Sequence, residues 1–485
     1  MKTWAEVVRF FGMESDPLPA GLVAGLSLDS RDIQADWIFI ALSGNQIHGG
    51  HYWLQAKARG AMGLISDQAI EDCDLPVYVV TDLKQRLADF AGWFYDYPSK
   101  KLKLTGITGT NGKTSSSQFL AQMLEHAGRP CGVLGTLGNG RLGALTPTAN
   151  TTLDSVALNR WLSEFVSQGL EYAVVEVSSH AIALGRIEGL QFACVALTQV
   201  SRDHLDFHLN LADYRATKKR LFEAYTAHYK VVNSDDEIGQ QVADEQPGLV
   251  VSYSQKSNAA NLSISDVELN DRGINAKLHY QNKTLSFTTP LIGQFNVENL
   301  LCASLCLLCL GIKFEKIESA LSRLGPVIGR MERVSITKPG VYALVDYAHT
   351  PDALEQVLLS IHAHQPLGKL WLVFGCGGNR DRGKRPLMAQ VAQRLADRII
   401  LTNDNPRFEA PQVIIDEICE GFSASVKPSL HIELNRQWAI EWALAQAQPG
   451  DWVLVVGKGH ENYQDIGGVK TPFSDQQVMR AWQQI

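Results

Sequence analysis

Short apolar runs alternate with stretches of helical spacing along almost the whole chain. Within residues 1–100, Trp37-Ile-Phe-Ile-Ala-Leu42, Gly63-Leu-Ile-Ser66 and Val77-Tyr-Val-Val80 predict strands separated by helices. Pro98-Ser-Lys-Lys-Leu102 reads as a polar hinge, and the pattern changes after it. Leu102-Lys-Leu-Thr-Gly-Ile-Thr108 predicts a strand that runs straight into a glycine-rich turn. Residues 115–127 then carry apolar positions at helical spacing (Phe119, Leu120, Met123, Leu124) up to a glycine stop at Gly128. Tyr172-Ala-Val-Val-Glu-Val177 and Cys194-Val-Ala-Leu-Thr198 are apolar at nearly every position, as strands buried on both faces must be. Residues 262–289 are more polar and alternate with period two, which predicts antiparallel strands late in the same domain.

A helix around residues 296–311 follows, and Gly325-Pro-Val-Ile-Gly-Arg-Met-Glu-Arg333 reads as a linker. Beyond it, Tyr342-Ala-Leu-Val-Asp346, Leu370-Trp-Leu-Val-Phe374, Arg398-Ile-Ile-Leu-Thr402 and Trp452-Val-Leu-Val-Val456 are four strands separated by helical segments. Alternation of this kind is the mark of parallel sheets covered on both faces. The expectation is an α/β protein of three domains, 1–100, 101–329 and 330–485, the central one doubly wound and the last Rossmann-like. At 485 residues the chain exceeds what one hydrophobic core usually organises, in keeping with that division.

Composition changes this picture little. A net charge of −7 argues against a chain built to coat nucleic acid. The cysteines are scattered without paired CxxC spacing, which disfavours a zinc site and fits a reducing compartment. Cys302, Cys306 and Cys309 fall on one helix face and read as small core-filling thiols. The N-terminal residues carry charge throughout, unlike a signal peptide, and the longest apolar run, 303–312, is too short to span a bilayer. A cytoplasmic protein is expected.

The chemistry concentrates in Gly106-Ile-Thr-Gly-Thr-Asn-Gly-Lys-Thr114. A strand, a glycine turn and a helix that opens with Lys-Thr form an anion site. Backbone N–H groups and the helix N-terminus face phosphate oxygens, Lys113 offsets terminal phosphate charge, and Thr114 can hold Mg²⁺. The strict phosphate-loop pattern has glycine at the position of Ile107, so Gly106 sits one residue early. A Gly-Lys-Thr run alone also fits an ordinary strand-to-helix turn; the strand before it favours the phosphate reading. Glu176 closes a buried strand at the end where α/β sheets place ligands, with Ser178-Ser-His180 just after it. Arg202-Asp-His-Leu-Asp-Phe-His208 follows another such strand and adds His204 as a candidate metal ligand; taken alone, an Asp-His pair is more often a cap or surface hydrogen-bond pair, and its place just beyond a strand of the same sheet brings the two readings level.

Thr-Gly-Thr-Asn-Gly-Lys-Thr, Glu-Val-Ser-Ser-His, Asp-His-Leu-Asp and Asp346-Tyr-Ala-His-Thr-Pro351 resemble, in order and across all three domains, the Mur ligases, which add amino acids to the peptidoglycan peptide stem. Leu28-Asp-Ser-Arg31 and Gly375-Cys-Gly-Gly-Asn-Arg-Asp-Arg-Gly-Lys-Arg-Pro386 narrow the likeness to the branch that joins meso-diaminopimelate to UDP-N-acetylmuramoyl-L-alanyl-D-glutamate. Asp404-Asn-Pro-Arg407 is the signature, in that family, of members that take diaminopimelate rather than lysine. The chemistry agrees, since diaminopimelate is lysine with one more carboxylate and a guanidinium grips a carboxylate through two hydrogen bonds.

The resemblance implies a set of roles. Leu28, Ser30, Asn45, Gln46 and Ile47 would hold the UDP end of the nucleotide sugar, and Asn150, Thr151, Thr152, Ser178 and Arg186 its muramoyl dipeptide. Gly109, Thr110, Asn111, Gly112, Lys113, Thr114 and Ser115 would bind ATP, joined by Asn299, Arg330 and Asp346. Arg380, Asp404, Asn405, Pro406, Arg407, Gly457 and Glu461 would form the diaminopimelate pocket. Two Mg²⁺ ions are implied, with Thr114, Glu176, His204 and Lys218 as ligands, Lys218 carrying a CO₂-derived carbamate; counting from Tyr214 selects Lys218 over its neighbour Lys219. Leu184 departs from the family, which has glutamine there in contact with the nucleotide sugar. The implied reaction is attack of the D-glutamyl carboxylate on ATP, then of the amine on the acyl phosphate, in a monomer whose third domain closes over the central one. Rival readings are a lysine-adding ligase, a folylpolyglutamate synthase, a switching NTPase and a non-enzymatic nucleotide-sugar binder. The motif at 404–407 and the Leu28-Asp-Ser-Arg31 segment disfavour the first two. A switch would hydrolyse ATP unprompted, and a mere binder leaves the glycine loop and the 377–385 cluster without purpose.

Overall fold

Both faces of the strand Trp37–Ala41 are covered, Ile38 and Ile40 by one buried cluster and Phe39 and Ala41 by another. Side chains alternate across a strand, so a run that is apolar at every position belongs between two layers. In the computed structural model this strand is second in a four-stranded parallel sheet ordered Gly25–Ser27, Trp37–Ala41, Ala61–Ser66 and Val77–Val79. The structure describes the chain except residues 14–18, 45–46, 205–206, 247–249, 365, 424–428 and 484–485. It separates into two units, Met1–Asn261 with Cys302–Lys313, and Leu262–Leu301 with Phe314–Ile485.

The first unit holds that N-terminal sheet and the central one. Residues 98–100, expected as a polar hinge, instead form a short 3₁₀ helix with Pro98 and Ser99 buried, and Ser99 Oγ accepts the Gln191 N–H at 3.2 Å. In the central sheet, Cys131–Gly135, Tyr172–Glu176, Lys103–Thr108, Phe192–Leu197, Ala227–Asn233 and Val250–Ser254 run parallel in that spatial order. Two further strands, Gly138–Arg141 and Ala144–Thr146, extend it antiparallel beyond Cys131–Gly135. After Lys103–Thr108 the chain leaves toward one edge, and after Tyr172–Glu176 it crosses toward the other. Ligands in open α/β sheets bind at such a reversal. The register sets Glu176 beside Ile107, one turn ahead of the glycine loop.

In the second unit, Leu262–Asn270, Gly273–Tyr280 and Lys283–Thr289 pair antiparallel, as their period-two pattern predicts. Its main sheet runs Glu332–Val334, Tyr342–Asp346, Trp452–Val456, Leu370–Phe374, Arg398–Leu401 and Leu430–Ile432, all parallel except the first. The four strands read from the sequence are its centre; both edge strands are additions. Glu332–Val334 overlaps the end of the stretch read as a linker, because three residues, two of them charged, carry too little pattern to stand out. Buried clusters cover both faces, with Leu354, Met388 and Ile415 on one side and Ile440, Ala443 and Met479 on the other. Cys302, Cys306 and Cys309 share the helix Phe295–Cys309, Cys302 and Cys306 fully buried. Among the described residues, no helix is long and apolar enough to cross a membrane.

Candidate active site

The glycine loop takes its shape from backbone conformations that only glycine adopts easily. Gly109 has φ 151° and Gly112 φ 85°. A Cβ on Gly109 would lie 1.8 Å from Thr198 Oγ1, so the loop can rest on the next strand only with hydrogen at that position. Thr198 Oγ1 donates to Asn111 O at 2.6 Å, and the Thr110 N–H donates to Gln199 O at 2.7 Å. Thr110 Oγ1 and the Tyr214 hydroxyl are 2.9 Å apart. The helix Lys113–His126 begins immediately afterwards and is capped by no side chain, its N-terminal amides facing the loop.

Two lysines converge on this loop. Lys113 Nζ donates to Gly109 O and Thr110 O, both at 2.8 Å, and Lys218 Nζ donates to Gly109 O at 2.7 Å. Lys218 is fully buried; desolvation first and the Lys113 charge second push its ammonium well below the ordinary lysine range. Lys219, one residue on, points away and pairs with Glu223 and Glu245. The helix Leu211–Glu223 turns successive side chains by about 100°, which separates the fates of two adjacent lysines.

Thr114 and Glu176, read from motifs 62 residues apart, meet: Thr114 Oγ1 donates to Glu176 Oε2 at 2.8 Å. Glu176 is fully buried. Its carboxylate also accepts from the Thr136 N–H on Oε1 and from Thr136 Oγ1 on Oε2, each at 3.0 Å. The close approach requires Gly135, where a Cβ would stand 2.2 Å from Glu176 Oε1. Neither Gly135 nor Thr136 was legible in the sequence, since a threonine after a strand carries no signal of its own. Thr136 Oγ1 reaches Thr151 Oγ1 at 3.1 Å, and Thr152 Oγ1 donates to Glu176 O at 2.7 Å. The Ser178 N–H donates to Thr152 Oγ1 at 3.0 Å, and Arg186 Nη1 donates to Thr152 O at 2.9 Å. Thr151, Thr152, Ser178 and Arg186 thus form one connected wall beside Glu176. Asn150 precedes it, exposed in a turn with Thr148, and Ser115 lies buried in the first turn of the glycine-loop helix.

His204 has φ 52°, a conformation that a non-glycine residue seldom adopts. Its ring stands perpendicular to that of His180 at 4.9 Å, and its Nε2 is 3.5 Å from Asp203 Oδ2. The pairing of a hard oxygen acceptor, Glu176, with the Thr114 hydroxyl suits Mg²⁺. Among the described residues no group of three or more His, Cys, Asp or Glu side chains is placed to hold a metal, so His204 does not complete such a cluster with Glu176. In the N-terminal sheet, Ser30 Oγ donates to Gln55 Oε1 at 2.6 Å, Leu28 packs on the core, and Ile47 is exposed. Asn45 and Gln46 lie outside the described residues. Leu184 is exposed.

The second unit holds the other expected residues. Asp346 is buried; its Oδ2 accepts the Met331 N–H and its Oδ1 the Ala348 N–H, both at 2.8 Å. Burial raises its pKa, opposed by the Arg330 charge. The Arg330 guanidinium lies over the Tyr347 ring at 4.8 Å, and Asn299 Nδ2 donates to Asn296 Oδ1 at 3.1 Å. Asp404, Asn405 and Pro406 are buried, whereas Arg380 is exposed. Arg407, with φ 51°, donates through Nη1 to Gly378 O at 2.7 Å. Asn405 Nδ2 donates to Glu461 Oε2 at 2.8 Å, and a Cβ on Gly457 would sit 2.4 Å from Asp404 Oδ2. One residue here, Lys458, escaped the sequence reading. Arg385, within the 375–386 motif, is fully buried and paired with Glu409 and Glu417; its hydrogen bonds, with that of the Asn379 N–H, hold the Glu409 carboxyl down to about 2. Lys458 is fully buried between Asn405 and Glu461.

Three family models match the chain: "Mur ligase family, catalytic domain" over residues 22–95, "Mur ligase middle domain" over 107–307 and "Mur ligase, glutamate ligase domain" over 329–459. A protein of Haemophilus influenzae named UDP-N-acetylmuramoyl-L-alanyl-D-glutamate–2,6-diaminopimelate ligase is 41% identical over 93% of this chain and 94% of its own. A protein of the same name from Gloeobacter violaceus is 40% identical over 98% and 96%. A solved structure with that name is 36% identical, has a TM-score of 0.70 and covers 99% of this chain and 98% of its own.

Proposed function

This chain belongs to the Mur ligase family, and we propose that it is a member that joins meso-diaminopimelate to the D-glutamyl side-chain carboxylate of UDP-N-acetylmuramoyl-L-alanyl-D-glutamate. It is an ATP-dependent, ADP-forming ligase of peptidoglycan precursor synthesis, as the family is. The observation that carries the choice of amino acid is the turn Asp404–Arg407, where Gly378 O holds the Arg407 guanidinium at 2.7 Å. A cation fixed in advance loses little rotamer freedom on gripping a carboxylate, and of the two candidate substrates only diaminopimelate offers one at the end of its side chain.

In the proposed reaction the glutamyl carboxylate attacks the γ-phosphate of ATP, and ADP leaves with the electron pair of the broken P–O bond. The free amine of diaminopimelate then attacks the acyl phosphate carbonyl, the amide forms, and phosphate departs. The physical difficulty is bringing a carboxylate to a polyanion. The amides of 109–115 and Lys113 counter that repulsion at the phosphates, with Asn299, Arg330 and Asp346 completing the nucleotide site. Thr151, Thr152, Ser178 and Arg186, one hydrogen-bonded wall beside Glu176, orient the dipeptide, with Asn150 at its edge. Leu28, Ser30 and residues 45–47 take the UDP end. Bound Mg²⁺, one ion on Thr114 and Glu176 and a second on Glu176, His204 and carbamylated Lys218, would neutralise phosphate charge there. Support for the carbamate comes from Lys218 itself, whose burial favours the uncharged amine that CO₂ requires.

Arg380, Asp404, Asn405, Pro406, Arg407, Gly457 and Glu461 line the amino-acid pocket in this reading. Domains 1–100, 101–329 and 330–485 each supply one substrate site. The enzyme works as a cytoplasmic monomer and serves wall growth through the cell cycle. The test is phosphate release with the UDP-muramoyl dipeptide and ATP, comparing meso-diaminopimelate with L-lysine. Release that depends on diaminopimelate is expected; equal rates remove the specificity assignment, and a preference for lysine reverses it.

A further inference from the structure

Gly457 follows the strand Trp452–Val456, and the next side chain, Lys458, is buried in the protein. Its ammonium is fully buried and donates to Asn405 Oδ1 at 3.0 Å and to Glu461 Oε2 at 2.9 Å. Asn405 and Glu461 come from loops that follow Arg398–Leu401 and Trp452–Val456, and Leu370–Phe374 lies between those strands. Neighbouring strands are about 4.8 Å apart, so the two loops start about 10 Å from each other. The hydrogen bonds from Lys458 and Asn405 bridge that gap.

The three side chains close a triangle, because Asn405 Nδ2 also donates to Glu461 Oε2, at 2.8 Å. Asn405 Oδ1 accepts a further hydrogen bond from the Asp465 N–H at 2.9 Å. Every polar atom of the Asn405 side chain is therefore spoken for inside the protein, which fixes the amide orientation. One oxygen of Glu461 is likewise held by two donors, and the carboxylate keeps some exposure (19%) whereas Lys458 has none. Stability alone does not explain such an arrangement. Apolar residues of similar volume usually replace a buried ion pair without loss, so the pair costs about as much in desolvation as it returns.

We infer that Lys458 is a positioning residue for the amino-acid substrate, locking Asn405 and Glu461 into one orientation so that the Glu461 carboxylate is presented to the incoming ammonium group. This rests on the assignment of Asn405 and Glu461 to the diaminopimelate pocket. Lys458 itself is walled off from that pocket by its two partners. Without it, Glu461 regains rotamer freedom, and the cost falls on binding of the amino acid rather than on phosphoryl transfer.

The test is steady-state kinetics of the full-length enzyme with each substrate varied in turn, for Lys458→Met, Lys458→Gln, Asn405→Ala and Glu461→Gln, beside thermal melts. Misplacement of a contact by about an ångström costs on the order of a tenfold to hundredfold in efficiency. Lys458→Met is expected to raise KM for meso-diaminopimelate by about tenfold or more, with KM for ATP and for the nucleotide sugar unchanged. Lys458→Gln, which keeps a donor toward Asn405 and Glu461, recovers part of that loss and serves in place of the methionine variant should the latter not fold. The Lys458→Met/Glu461→Gln pair is expected to be little worse than the worse single variant, since Lys458 acts chiefly through the Glu461 carboxylate that the second change removes. An unchanged diaminopimelate KM in a folded Lys458 variant, or equal damage to all three KM values, overturns the inference. Should Asn405→Ala and Glu461→Gln also leave that KM unchanged, the pocket assignment itself has failed; a raised KM in those two alone removes only the role of Lys458.

Discussion

Replacing Glu176 by glutamine separates its chemistry from its place in the fold. The carboxylate is fully buried and accepts three hydrogen bonds, from the Thr114 hydroxyl, the Thr136 hydroxyl and the Thr136 amide. Both hydroxyls face Oε2, while the amide, which cannot reverse its polarity, faces Oε1. In Glu176→Gln the amide oxygen takes the Oε1 position, and the new NH₂ donates to two hydroxyls that rotate to accept. Three charge-assisted hydrogen bonds become neutral ones, a gross loss of about 1 kcal/mol each. Against that stands relief from burying a carboxylate, an effective penalty of several kcal/mol. The two nearly cancel, and folding stability should change by no more than about 1–2 kcal/mol.

Glu176→Ala leaves the Thr136 amide without its acceptor and opens a cavity, a loss of about 2–4 kcal/mol. Activity behaves otherwise. A neutral amide is a poor ligand for a hard cation, so Glu176→Gln should lose turnover on the order of a hundredfold or more. Urea unfolding of the three proteins, with coupled ADP release, measures both quantities. Turnover near wild type in Glu176→Gln refutes the metal-site role, and a stability loss as large as that of the alanine variant refutes the hydroxyl-rotation argument.

Other outcomes follow from the same geometry. Lys113→Ala should cut ADP formation on the order of a hundredfold or more while the nucleotide sugar still binds; retained turnover would remove the loop assignment. Arg407→Ala should erase the preference for meso-diaminopimelate over L-lysine chiefly by raising KM for the former, measured by phosphate release. Lys218 binds a proton more readily in the unfolded chain than when buried, so it opposes folding at neutral pH, and stability recovers as pH rises toward the ordinary lysine value of 10.5. In CO₂-depleted buffer Lys218→Met should therefore melt higher than wild type at pH 7, with the gap narrowing toward pH 10; a gap independent of pH would contradict the burial argument.

Trp37–Ala41, Tyr172–Glu176 and Leu370–Phe374 were legible because each is apolar at nearly every position, as a doubly covered strand is, whereas Cys131–Gly135, Ala227–Asn233 and Val250–Ser254, mixed in composition, were not read. The two edges of the last sheet were not legible. Glu332–Val334 and Leu430–Ile432 are only three residues long, too short to leave a periodic trace. The glycine loop and Glu176 were picked out by residue type and local order, since a turn with positive φ needs glycine and a cation needs a charged side chain, whereas Asp404–Arg407 was picked out only by its likeness to the family motif. Lys218 and Lys219 could be told apart only by counting within a motif; the helix Leu211–Glu223 buries one and leaves the other beside Glu223 and Glu245.

By itself, the sequence determined which local structures form, which loop can cradle phosphate and which family the motifs belong to, because each depends on residues close together in the chain. Tertiary structure alone decided that Glu176 lies against Thr114 and Thr136, that Gly135 must lack a side chain to allow it, and that Lys458 joins Asn405 to Glu461. Those contacts depend on sheet order and register. Strands far apart in sequence become neighbours through crossovers whose outcome no local pattern records, and a group's burial, hence its charge and its reach, is known only once they have.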